Sequence, residues 1–526
     1  MNILLVDDDY VDLINIKRHL KNENYVILTA NTGLDALDII RNTSSLDLVL
    51  LDAIMPGLSG FETCLKIQQL NQNLPVILVT GLTDEKFLKQ AFDSGAADFI
   101  SKPVNKQELI SRINNILKIK NAEKEIQKLY SNLLSDLKIA NSVQSYLIPD
   151  WINIYDNLVM TSSFIPVASV SGDLFELIPL DNNKFLTYIG DISGHGVQAS
   201  LIMAAIQMAI RLEVMDHKQN VEIIHVLNKL NSIFSERFPD SSYMTFLIGI
   251  IDLNKNSFEY FSAGHPPVII YNNQTGSVNT YKEKGSLPIG MFPDIDYNET
   301  DMDFLDLNEN TSILLYTDGL FECTTKNNEI FDLISMLSVF SDNRFFSKFS
   351  LPEELINYLY KENFLFDDDV TVLLISTFSK KHSRKIFIIE PSLEEVCLLS
   401  NKLIDVLHNH NIGKDIIFAF EILLKEHLNN IVIHGYKAET KSKLEKIFLS
   451  INIAEDKIII TTLDKGMAWN FNDHQKSREN EQLTDYKISG RGLDIINSIA
   501  EKVSYKRINC LNEAVIVVDA ITLKKF

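Results

Sequence analysis

Four aspartates in the middle of the chain have the residue type and the positions expected of a centre for divalent cations. Asp191 stands in GDISGHG, directly after the apolar run 185–189, so a strand ends in a carboxylate within a glycine-rich bend. Three further acids flank short β-rich segments, namely Asp173 in SGD, Asp318 in YTDGL and Asp368 in DDDVT. Carboxylates crowded at one sheet edge repel unless hard cations separate them, and oxygen ligands suit Mg²⁺ or Mn²⁺. Two such ions can activate a water for in-line attack on a phosphate ester.

The motifs SGD, GDISGHG, FSAGHPP, YTDGLFE and DDDVT occur in the order found in the bacterial PPM-type serine phosphatases of partner-switching systems, which residues 136–378 resemble. The resemblance implies an α/β sandwich over residues 151–378 that holds two Mg²⁺ or Mn²⁺ ions. The residues that it implies as ligands are Asp191 bridging both ions, the Ile192 carbonyl on one of them, Asp173 on the second ion, and Asp318 and Asp368 on the first.

Two positions depart from the pattern of those phosphatases. Ser171 stands where a glycine is usual, and the segment after YTDGLFE, CTTKNNEIFD, lacks its usual glycine. Neither position supplies a ligand, so the expected activity is unchanged.

Length and composition predict a globular protein of several domains. The chain has 526 residues, enough for three or four cores, with 46% hydrophobic and 23% charged residues. The formal net charge of −21 argues against nucleic acid as a partner. Residues 384–526 carry 20 Lys and Arg against 20 Asp and Glu, so the acidity lies in the first two-thirds of the chain.

We expect neither a secretion signal nor a disulfide framework in this chain. Its start, MNILLVDDD, has no basic segment before the apolar residues, and no run approaches the roughly 18 apolar residues of a membrane span. The four cysteines are scattered without a CxxC pair, which argues against zinc sites and disulfides. We expect a protein of the reducing cytoplasm that does not bind membranes.

The first 119 residues alternate apolar strands with amphipathic helices five times, which predicts a doubly wound parallel sheet. Functional groups gather at the carboxyl ends of such strands. The groups expected there are Asp7 and Asp8 after the first strand, Asp52 after the third, Thr80 after the fourth and Lys102 after the fifth. Acids beside a lysine can hold Mg²⁺ while one aspartate accepts a phosphoryl group.

With DAIMPGLSG and SKP beside these acids, residues 1–119 resemble response-regulator receiver domains over their full length. The resemblance implies that Asp52 is the phosphoacceptor, that Asp7 and Asp8 bind Mg²⁺, and that a cognate sensor histidine kinase is a partner. It also implies that Lys102 and Thr80 sense the phosphate and that an aromatic residue, Phe99, swings with Thr80. Gly81 replaces the usual alanine.

Residues 120–150 predict an amphipathic connecting helix. Its apolar residues fall at steps of three or four: Ile126, Leu129, Leu133, Leu137, Ala140 and Leu147. The stripe is compatible with packing on its own domain and with a coiled coil, hence a homodimer. DLKIANSVQSYLIP resembles the helix that precedes the phosphatase in the PPM family and acts there as a switch.

The C-terminal segment, residues 384–526, contains two groups of residues suited to nucleotide chemistry. Glu426, Asn430 and His434 recur every four residues, which predicts that they share one helix face and could activate a hydroxyl and hold Mg²⁺. After a predicted strand, LDKG supplies Asp464 and Gly466, and SGRGLDII supplies Gly490 and Gly492 at a helix start suited to phosphate.

Together these motifs resemble the anti-sigma serine kinases of the GHKL ATPase superfamily, which have an α+β fold. The resemblance implies Mg-ATP as cofactor, with Asn430 on Mg²⁺ and Asp464 on the adenine amino group. It further implies that Gly490 and Gly492 close over the phosphates and that Glu426 is the candidate base. Ala468 replaces a glycine often found after DxG.

The expected protein is therefore a response regulator whose two outputs are opposed enzymes, a phosphoserine phosphatase and a serine kinase. By resemblance, their shared substrate is a STAS-type anti-sigma-factor antagonist, and a sigma or anti-sigma factor is a further partner. The alternative is that the C-terminal domain binds ATP and a sigma factor without catalysis. A DNA-binding regulator is disfavoured because no basic helix-turn-helix follows the receiver.

Overall fold

The structure is a computed structural model of the whole chain. It describes residues 1–521 apart from 22, 44, 82–84, 156, 240–241, 273–274, 276, 282–283, 309–310, 333–334, 337–338, 340–347, 379–383, 409, 411, 437–444, 455 and 469–490. The chain forms two compact units, Met1–Asp136 and Leu137–Phe526.

The first unit contains a five-stranded parallel sheet in the order β2-β1-β3-β4-β5. Its elements are β1 Asn2–Val6, α1 Tyr10–Leu20, β2 Val26–Ala30, α2 Gly33–Asn42, β3 Leu48–Asp52, α3 Gly60–Leu70, β4 Val76–Thr80, α4 Glu85–Asp93, β5 Asp98–Ser101 and α5 Lys106–Leu147. The predicted doubly wound fold is confirmed. Strands β3 and β4 are buried along their whole length, as expected for strands covered by helices on both faces.

Polar caps fix where the helices of this unit begin. Asp9 accepts a hydrogen bond from the Val11 amide at the start of α1. At the start of α3, Ser59 and Glu62 form a reciprocal capping box. Each cap follows the carboxyl end of a strand, so the caps also set the paths of the loops that carry the acids.

Helix α5 is longer than the sequence pattern predicts. We expected a last receiver helix and a separate connecting helix over 120–150, whereas one helix runs without interruption from Lys106 to Leu147. This segment contains neither proline nor glycine, so no residue stops the helix. The side chains of Ile126, Leu129 and Leu133 are exposed.

The segment expected to be a phosphatase, residues 152–377 of the second unit, is built on two antiparallel sheets, in the orders β14-β11-β10-β9-β8 and β13-β12-β15-β18-β7-β6. Its elements are β6 Ile152–Tyr155, β7 Leu158–Ile165, β8 Leu174–Pro179, β9 Lys184–Ile192, α6 Val197–Asp216, α7 Ile223–Arg237, β10 Met244–Asp252, β11 Ser257–Ala263, β12 Ile269–Asn272, β13 Val278–Thr280, β14 Asp303–Asp306, β15 Thr311–Tyr316, α8 Gly319–Glu322, β16 Thr324–Thr325, α9 Leu351–Lys361, β17 Phe364–Leu365 and β18 Val370–Thr377.

These elements form four layers, helices, sheet, sheet, helices, which confirms the predicted α/β sandwich. Between the sheets, residues such as Phe175, Ile189 and Leu373 form one apolar core. On the outer faces, α6 and α7 cover the first sheet and α9 covers the second. Alternating side chains along each strand supply both layers.

Helix α6 is long and apolar enough to cross a membrane by length and composition alone. The sequence analysis predicted no membrane-spanning segment. Half of its apolar window is buried within the protein, including Ile202, Ile206 and Ile210 in the core with α7. A core helix passes the same test, so this feature is weak evidence for a membrane span.

The C-terminal segment forms a third antiparallel sheet, in the order β19-β20-β21-β23-β22. Its elements are β19 Arg384–Ile389, α10 Leu393–His408, α11 Lys414–Asn430, β20 Ile447–Ile453, β21 Lys457–Asp464, α12 Arg491–Ile499, β22 Lys502–Ile508 and β23 Leu511–Asp519. The three helices cover one face of the sheet. The α+β architecture is confirmed.

The helix that carries Glu426 differs at its end from the expected regular repeat. The α-helix stops at Asn430, and residues Ile431–Gly435 form a π-helical turn, a feature often found at functional sites. The regular α-helix expected to carry Glu426, Asn430 and His434 on one face therefore reaches only as far as Asn430. His434 lies in the wider turn, where its side chain is exposed.

Candidate functional site

The four aspartates of the phosphatase segment lie at the ends of strands from both sheets. Asp191 is the last residue but one of β9, Asp173 directly precedes β8, Asp318 follows β15 by two residues, and Asp368 precedes β18 by two. Burial, with the added repulsion of Asp318 and then Asp368, raises the pKa of Asp191 to about 8. The fold therefore brings these acids, distant in sequence, into mutual repulsion.

Asp173 is the most deeply buried member of this group, at 1% exposure. Its Oδ2 accepts hydrogen bonds from the hydroxyls of Thr317, at 3.0 Å, and Thr371, at 2.5 Å. Its Oδ1 is buried with no hydrogen-bond donor among the described residues. Burial and the charge of Asp191 raise the pKa of Asp173 well above its ordinary value. A buried carboxylate oxygen without a donor is suited to a cation.

The residues present therefore fit a pair of hard cations. The Ile192 carbonyl oxygen faces the same loop, since a β-carbon added to Gly172 would lie 3.1 Å from it. Within the part of the chain that the structure describes, only the receiver brings three carboxylates within 4.8 Å of one another. The phosphatase acids are spread more widely, as suits two ions rather than one.

Sequence reasoning missed Asp369, which is hydrogen-bonded to the loops around the four acids. Its carboxylate accepts hydrogen bonds from the amides of Val167, at 2.7 Å, and Gly172, at 3.0 Å. A β-carbon on Gly319 would lie 2.2 Å from the Asp369 carbonyl oxygen, so only glycine allows the two loops this close. The run DDD indicated an acidic segment. It did not indicate that its third residue, Asp369, is hydrogen-bonded to a loop 197 residues earlier in the chain.

The histidine of FSAGHPP, His265, contacts the strand next to the one that carries Asp191. Thr245 pairs with Asp191 across the β9–β10 ladder, and its hydroxyl lies 3.1 Å from Nδ1 of His265. Burial lowers the pKa of His265 to about 3, so the imidazole is neutral. A neutral His265 imidazole thus contacts Thr245, the residue that pairs with Asp191.

The end of α5 is hydrogen-bonded to the loop that carries Asp173. The buried Gln144 side chain donates to the Ser171 carbonyl, at 2.7 Å, and accepts from the Ser171 amide, at 3.1 Å. Ser171 in turn accepts, through its hydroxyl, a hydrogen bond from the Asp173 amide, at 3.0 Å. The Gln144 and Ser171 side chains thus link the helix to Asp173, and this connection was not predicted from the sequence.

In the receiver, the predicted acids meet at the carboxyl edge of the sheet. One oxygen each of Asp7, Asp8 and Asp52 lies within 4.8 Å of the others, a spacing that suits one Mg²⁺. Burial, followed by repulsion from Asp7, raises the pKa of Asp52 to about 6. A bound cation would favour the ionised form of these acids.

Lys102 lies at the centre of this cluster. Its ammonium group is 2.9 Å from Asp7, 3.2 Å from Asp52 and 2.8 Å from Asp12. Sequence reasoning missed Asp12, which stands on α1 and not at a strand end. Thr80 is buried at the end of β4.

The aromatic predicted to move with Thr80 lies on β5. Phe99 is partly buried, with its ring under the Arg112 guanidinium at 5.5 Å and edge-to-face with Phe92. Gly81 is exposed, and a β-carbon there would meet nothing within 4 Å. The usual alanine would fit at this position without displacing a neighbour.

In the C-terminal domain, Asp464 ends β21 with a fixed carboxylate. Its Oδ1 accepts hydrogen bonds from the Gly466 amide, at 2.9 Å, and from Nδ2 of Asn512, at 2.8 Å. Arg507 donates to the Gly466 carbonyl and to Asn512. Burial raises the pKa of Asp464 to about 6, and the Asn512 hydrogen bond opposes that rise. Sequence reasoning missed Asn512 and Arg507.

The start of α12 approaches the helix that carries Glu426. A β-carbon on Gly492 would lie 2.6 Å from Oε2 of Glu426 and 3.4 Å from Nδ2 of Asn430. The predicted acid and amide thus lie at the N-terminus of α12, the end of a helix that attracts anions. Gly490 lies outside the described residues. Ala468 is the last described residue of the segment after Asp464.

Three family models match the chain in succession. Residues 3–114 match the response regulator receiver domain, residues 181–378 match stage II sporulation protein E (SpoIIE), and residues 389–518 match the histidine kinase-like ATPase domain. The chain therefore contains a receiver domain, a SpoIIE-type PPM phosphatase domain and a GHKL-type ATPase domain, in that order.

Among individual proteins, the chain is similar to two phosphoserine phosphatases of Bacillus subtilis. It is 26% identical to RsbP over 209 residues, covering 40% of this chain and 50% of RsbP. It is 24% identical to RsbU over 253 residues, covering 48% of this chain and 72% of RsbU. The chain thus spans about half the length of RsbP. A solved structure of the RsbU and RsbW domains of Rv1364c from Mycobacterium tuberculosis covers 71% of the chain, at 18% identity and a TM-score of 0.37.

Proposed function

We propose that this protein is a receiver-controlled, metal-dependent phosphoserine phosphatase of a partner-switching pathway. The observation that carries the proposal is the group formed by Asp173, Asp191, Asp318 and Asp368. Their crowding raises the pKa of Asp191, and the buried Oδ1 of Asp173 has no donor among the described residues. The similarity to RsbP and RsbU supports phosphoserine as the group removed.

In the proposed reaction, water attacks phosphorus in line, the phosphorus–oxygen bond to serine breaks, and serine leaves with a proton. Two Mg²⁺ or Mn²⁺ ions would supply charge neutralisation and an activated nucleophile. Asp191 would lie between the ions, with the Ile192 carbonyl on one. Asp173 would hold the second ion, while Asp318 and Asp368 would hold the first. Thr317, Thr371 and Asp369 keep the ligand loops in place.

The substrate that we propose is a STAS-type anti-sigma-factor antagonist, with a sigma or anti-sigma factor as a further partner in the cytoplasm. The full-length protein should release phosphate from the phosphoserine form of such an antagonist in the presence of Mn²⁺. Phosphate release measured by malachite green, with and without EDTA, checks this expectation. A rate that EDTA leaves unchanged would rule out the metal-dependent reaction.

For the C-terminal domain we propose the opposing reaction, transfer of the ATP γ-phosphoryl group to the same serine. Asn430 would hold Mg²⁺, Gly490 and Gly492 would contact the phosphates, and Glu426 would take the serine proton. The support is the approach of α12 to Glu426 and Asn430. The alternative is a module that binds ATP and a sigma factor without transfer, which the similarity to an ATPase domain favours equally.

Glu426→Ala is expected to reduce phosphoryl transfer about a hundredfold or more, the usual contribution of a general base. The measurement uses full-length protein carrying Asp191→Asn, so that no dephosphorylation hides the product, with labelled ATP and the antagonist. Glu421→Ala, which removes an acid paired with Lys425 on the same helix, is the matched control. Tight ATP binding without label transfer in the Asp191→Asn parent would favour the binding module.

The receiver would control these activities through α5. We propose that a sensor histidine kinase phosphorylates Asp52, with Asp7 and Asp8 holding Mg²⁺ and with Lys102 and Thr80 contacting the phosphoryl group. Phosphorylation would raise one output activity and lower the other. The exposed Ile126, Leu129 and Leu133 favour a coiled coil, and hence a homodimer, over packing within the chain.

Gln144→Ala is expected to make the phosphatase rate insensitive to Asp52 phosphorylation. The substitution removes both hydrogen bonds between α5 and the Ser171 backbone, and a coupling of this kind typically changes a rate by about fivefold or more. The measurement is the ratio of rates with and without beryllofluoride, which mimics the phosphoryl group. Ser145→Ala, whose hydroxyl bonds only within the helix, should keep the wild-type ratio. An unchanged ratio in Gln144→Ala would remove this route.

A further inference from the structure

The nucleotide loop of the ATPase domain touches the phosphatase domain through an ion pair between the half-buried Lys465 and the buried Glu353. Lys465 stands between Asp464 and Gly466, and its ammonium group lies 2.5 Å from Oε1 of Glu353 on α9. Glu353 is 3% exposed, and its second oxygen accepts a hydrogen bond from Asn509, at 3.2 Å. Surface pairs contribute little, whereas the loss of one partner from a buried pair leaves an uncompensated charge inside the protein.

A second pair and an apolar cluster hold the same interface together. Lys506 on β22 pairs with Glu354, the neighbour of Glu353 on α9. Glu513 on β23 is fully buried nearby, and burial raises its pKa to about 8. The surrounding apolar residues come from both domains: Ile152, Val159, Phe349, Phe448, Leu463, Ile508 and Leu511. Because closely packed side chains are nearly incompressible, a displacement of one domain at this interface would be transmitted to the other.

On the phosphatase side, α9 leads directly to a proposed metal ligand. The helix ends at Lys361, and Asp368 follows seven residues later. The buried face of α9, including Leu355 and Ile356, packs in one core with Val370 and other residues of the strand after Asp368. A shift of Glu353 therefore moves the element that sets the position of Asp368.

On the nucleotide side, the conformation of Lys465 depends on its two neighbours. The Asp464 carboxylate fixes the Gly466 amide, and Met467 donates its amide to the Gly435 carbonyl at 2.8 Å. Asp464 is also the residue proposed to contact adenine. A nucleotide that restrains Asp464 thus restrains the backbone on both sides of Lys465.

We propose that an adenine nucleotide bound to the C-terminal domain is an effector of the phosphatase, transmitted by the Lys465–Glu353 ion pair. Nucleotide binding holds Lys465 on Glu353, which steadies α9 and the Asp368 segment and so strengthens metal binding. By thermodynamic reciprocity, metal in the phosphatase strengthens nucleotide binding by the same factor. Lys465 and Glu353 are positioning residues in this scheme, which rests on the proposed nucleotide and phosphoserine sites.

The test measures binding of a fluorescent ADP analogue to the full-length protein at saturating Mg²⁺. ADP is used because it cannot support phosphoryl transfer. Asp191→Asn, which removes the bridging metal ligand, is expected to weaken ADP binding by about fivefold, the lower end of typical couplings. In a Lys465→Met background, Asp191→Asn should leave ADP affinity unchanged. In the reverse direction, saturating ADP should strengthen Mg²⁺ binding at the phosphatase site by the same factor, measured by isothermal titration with free Mg²⁺.

Two further variants keep the test decisive. Lys465→Met leaves Glu353 charged and buried, so Lys465→Met with Glu353→Gln removes both charges and should also abolish the coupling. Lys457→Met, at the start of β21, removes an exposed ion pair with Glu501 and should retain the coupling. Coupling that persists in both Lys465 variants, or ADP and metal binding that are independent in the wild type, would overturn the inference alone. A wild-type protein that binds no ADP would overturn the proposed nucleotide site and the inference together.

Discussion

Asp191→Asn is expected to reduce phosphoserine hydrolysis by at least about a thousandfold and to abolish Mn²⁺ binding at the phosphatase site. Asparagine has nearly the shape of aspartate but carries no charge, and one oxygen becomes an amide that cannot ligate a cation. The loss of metal chemistry is worth several kcal/mol of transition-state stabilisation, at about 1.4 kcal/mol per tenfold in rate. Phosphate release and isothermal titration with Mn²⁺ measure the two effects.

The same substitution should stabilise the metal-free fold. Burial and repulsion from Asp318 and Asp368 raise the pKa of Asp191, so its ionised form is unfavourable in the absence of cations. Loss of activity without loss of the folded state therefore separates a ligand from a structural residue. Asp367→Asn, which changes the exposed neighbour of Asp368, is the matched control and should keep near-wild-type rates. Equal activity of Asp191→Asn and wild type would dismiss the proposed centre.

Asp464→Asn is expected to weaken ATP binding by about a hundredfold or more. Asn can keep its carbonyl oxygen where Oδ1 accepts from Gly466 and Asn512, so the loop retains its hydrogen bonds. The second carboxylate oxygen becomes an amide donor, which cannot accept from an adenine amino group and leaves that group unpaired. Buried polar groups without partners cost about 1–3 kcal/mol each, more when one is charged.

Fluorescent-nucleotide titration of the full-length protein measures this effect, with the unfolding midpoint as a check on the fold. Asp456→Asn, at an exposed position just before β21, is the control and should bind ATP as the wild type does. The substitution should also reduce discrimination between ATP and nucleotides without an exocyclic amino group. Unchanged ATP affinity would remove Asp464 from the proposed adenine contact.

The sequence predicted the parts of the fold that local patterns determine. The alternation of strands and helices in residues 1–119 indicated the doubly wound sheet, because period-2 and period-3.6 patterns are properties of short segments. The acids at Asp7, Asp52 and Asp191 were predictable because each follows an apolar strand. The continuity of the connecting helix with the last helix of the first unit was not predictable, since nothing in the pattern distinguishes one long helix from two short ones in line.

The residues that position the sites were not predictable, because their partners lie far along the chain. Asp369 bonds to Gly172 across 197 residues, and Lys465 pairs with Glu353 across 112. Asp12 reaches its lysine from a helix and not from a strand end. In each case the residue type indicates only a charge, and the tertiary fold alone determines which ion or backbone amide it contacts. The roles assigned to all these residues remain predictions.

The outer face of the C-terminal sheet has a practical consequence for dissecting this protein. Phe448, Leu463, Ile508 and Leu511 are fully shielded because the phosphatase domain lies over them. Cutting the chain near residue 384 would expose this apolar surface to solvent and would leave Lys465 and Lys506 without their acidic partners. A recombinant C-terminal fragment would then be prone to aggregate. A lack of activity in that fragment would result from the truncation and would not show that the intact domain is inactive.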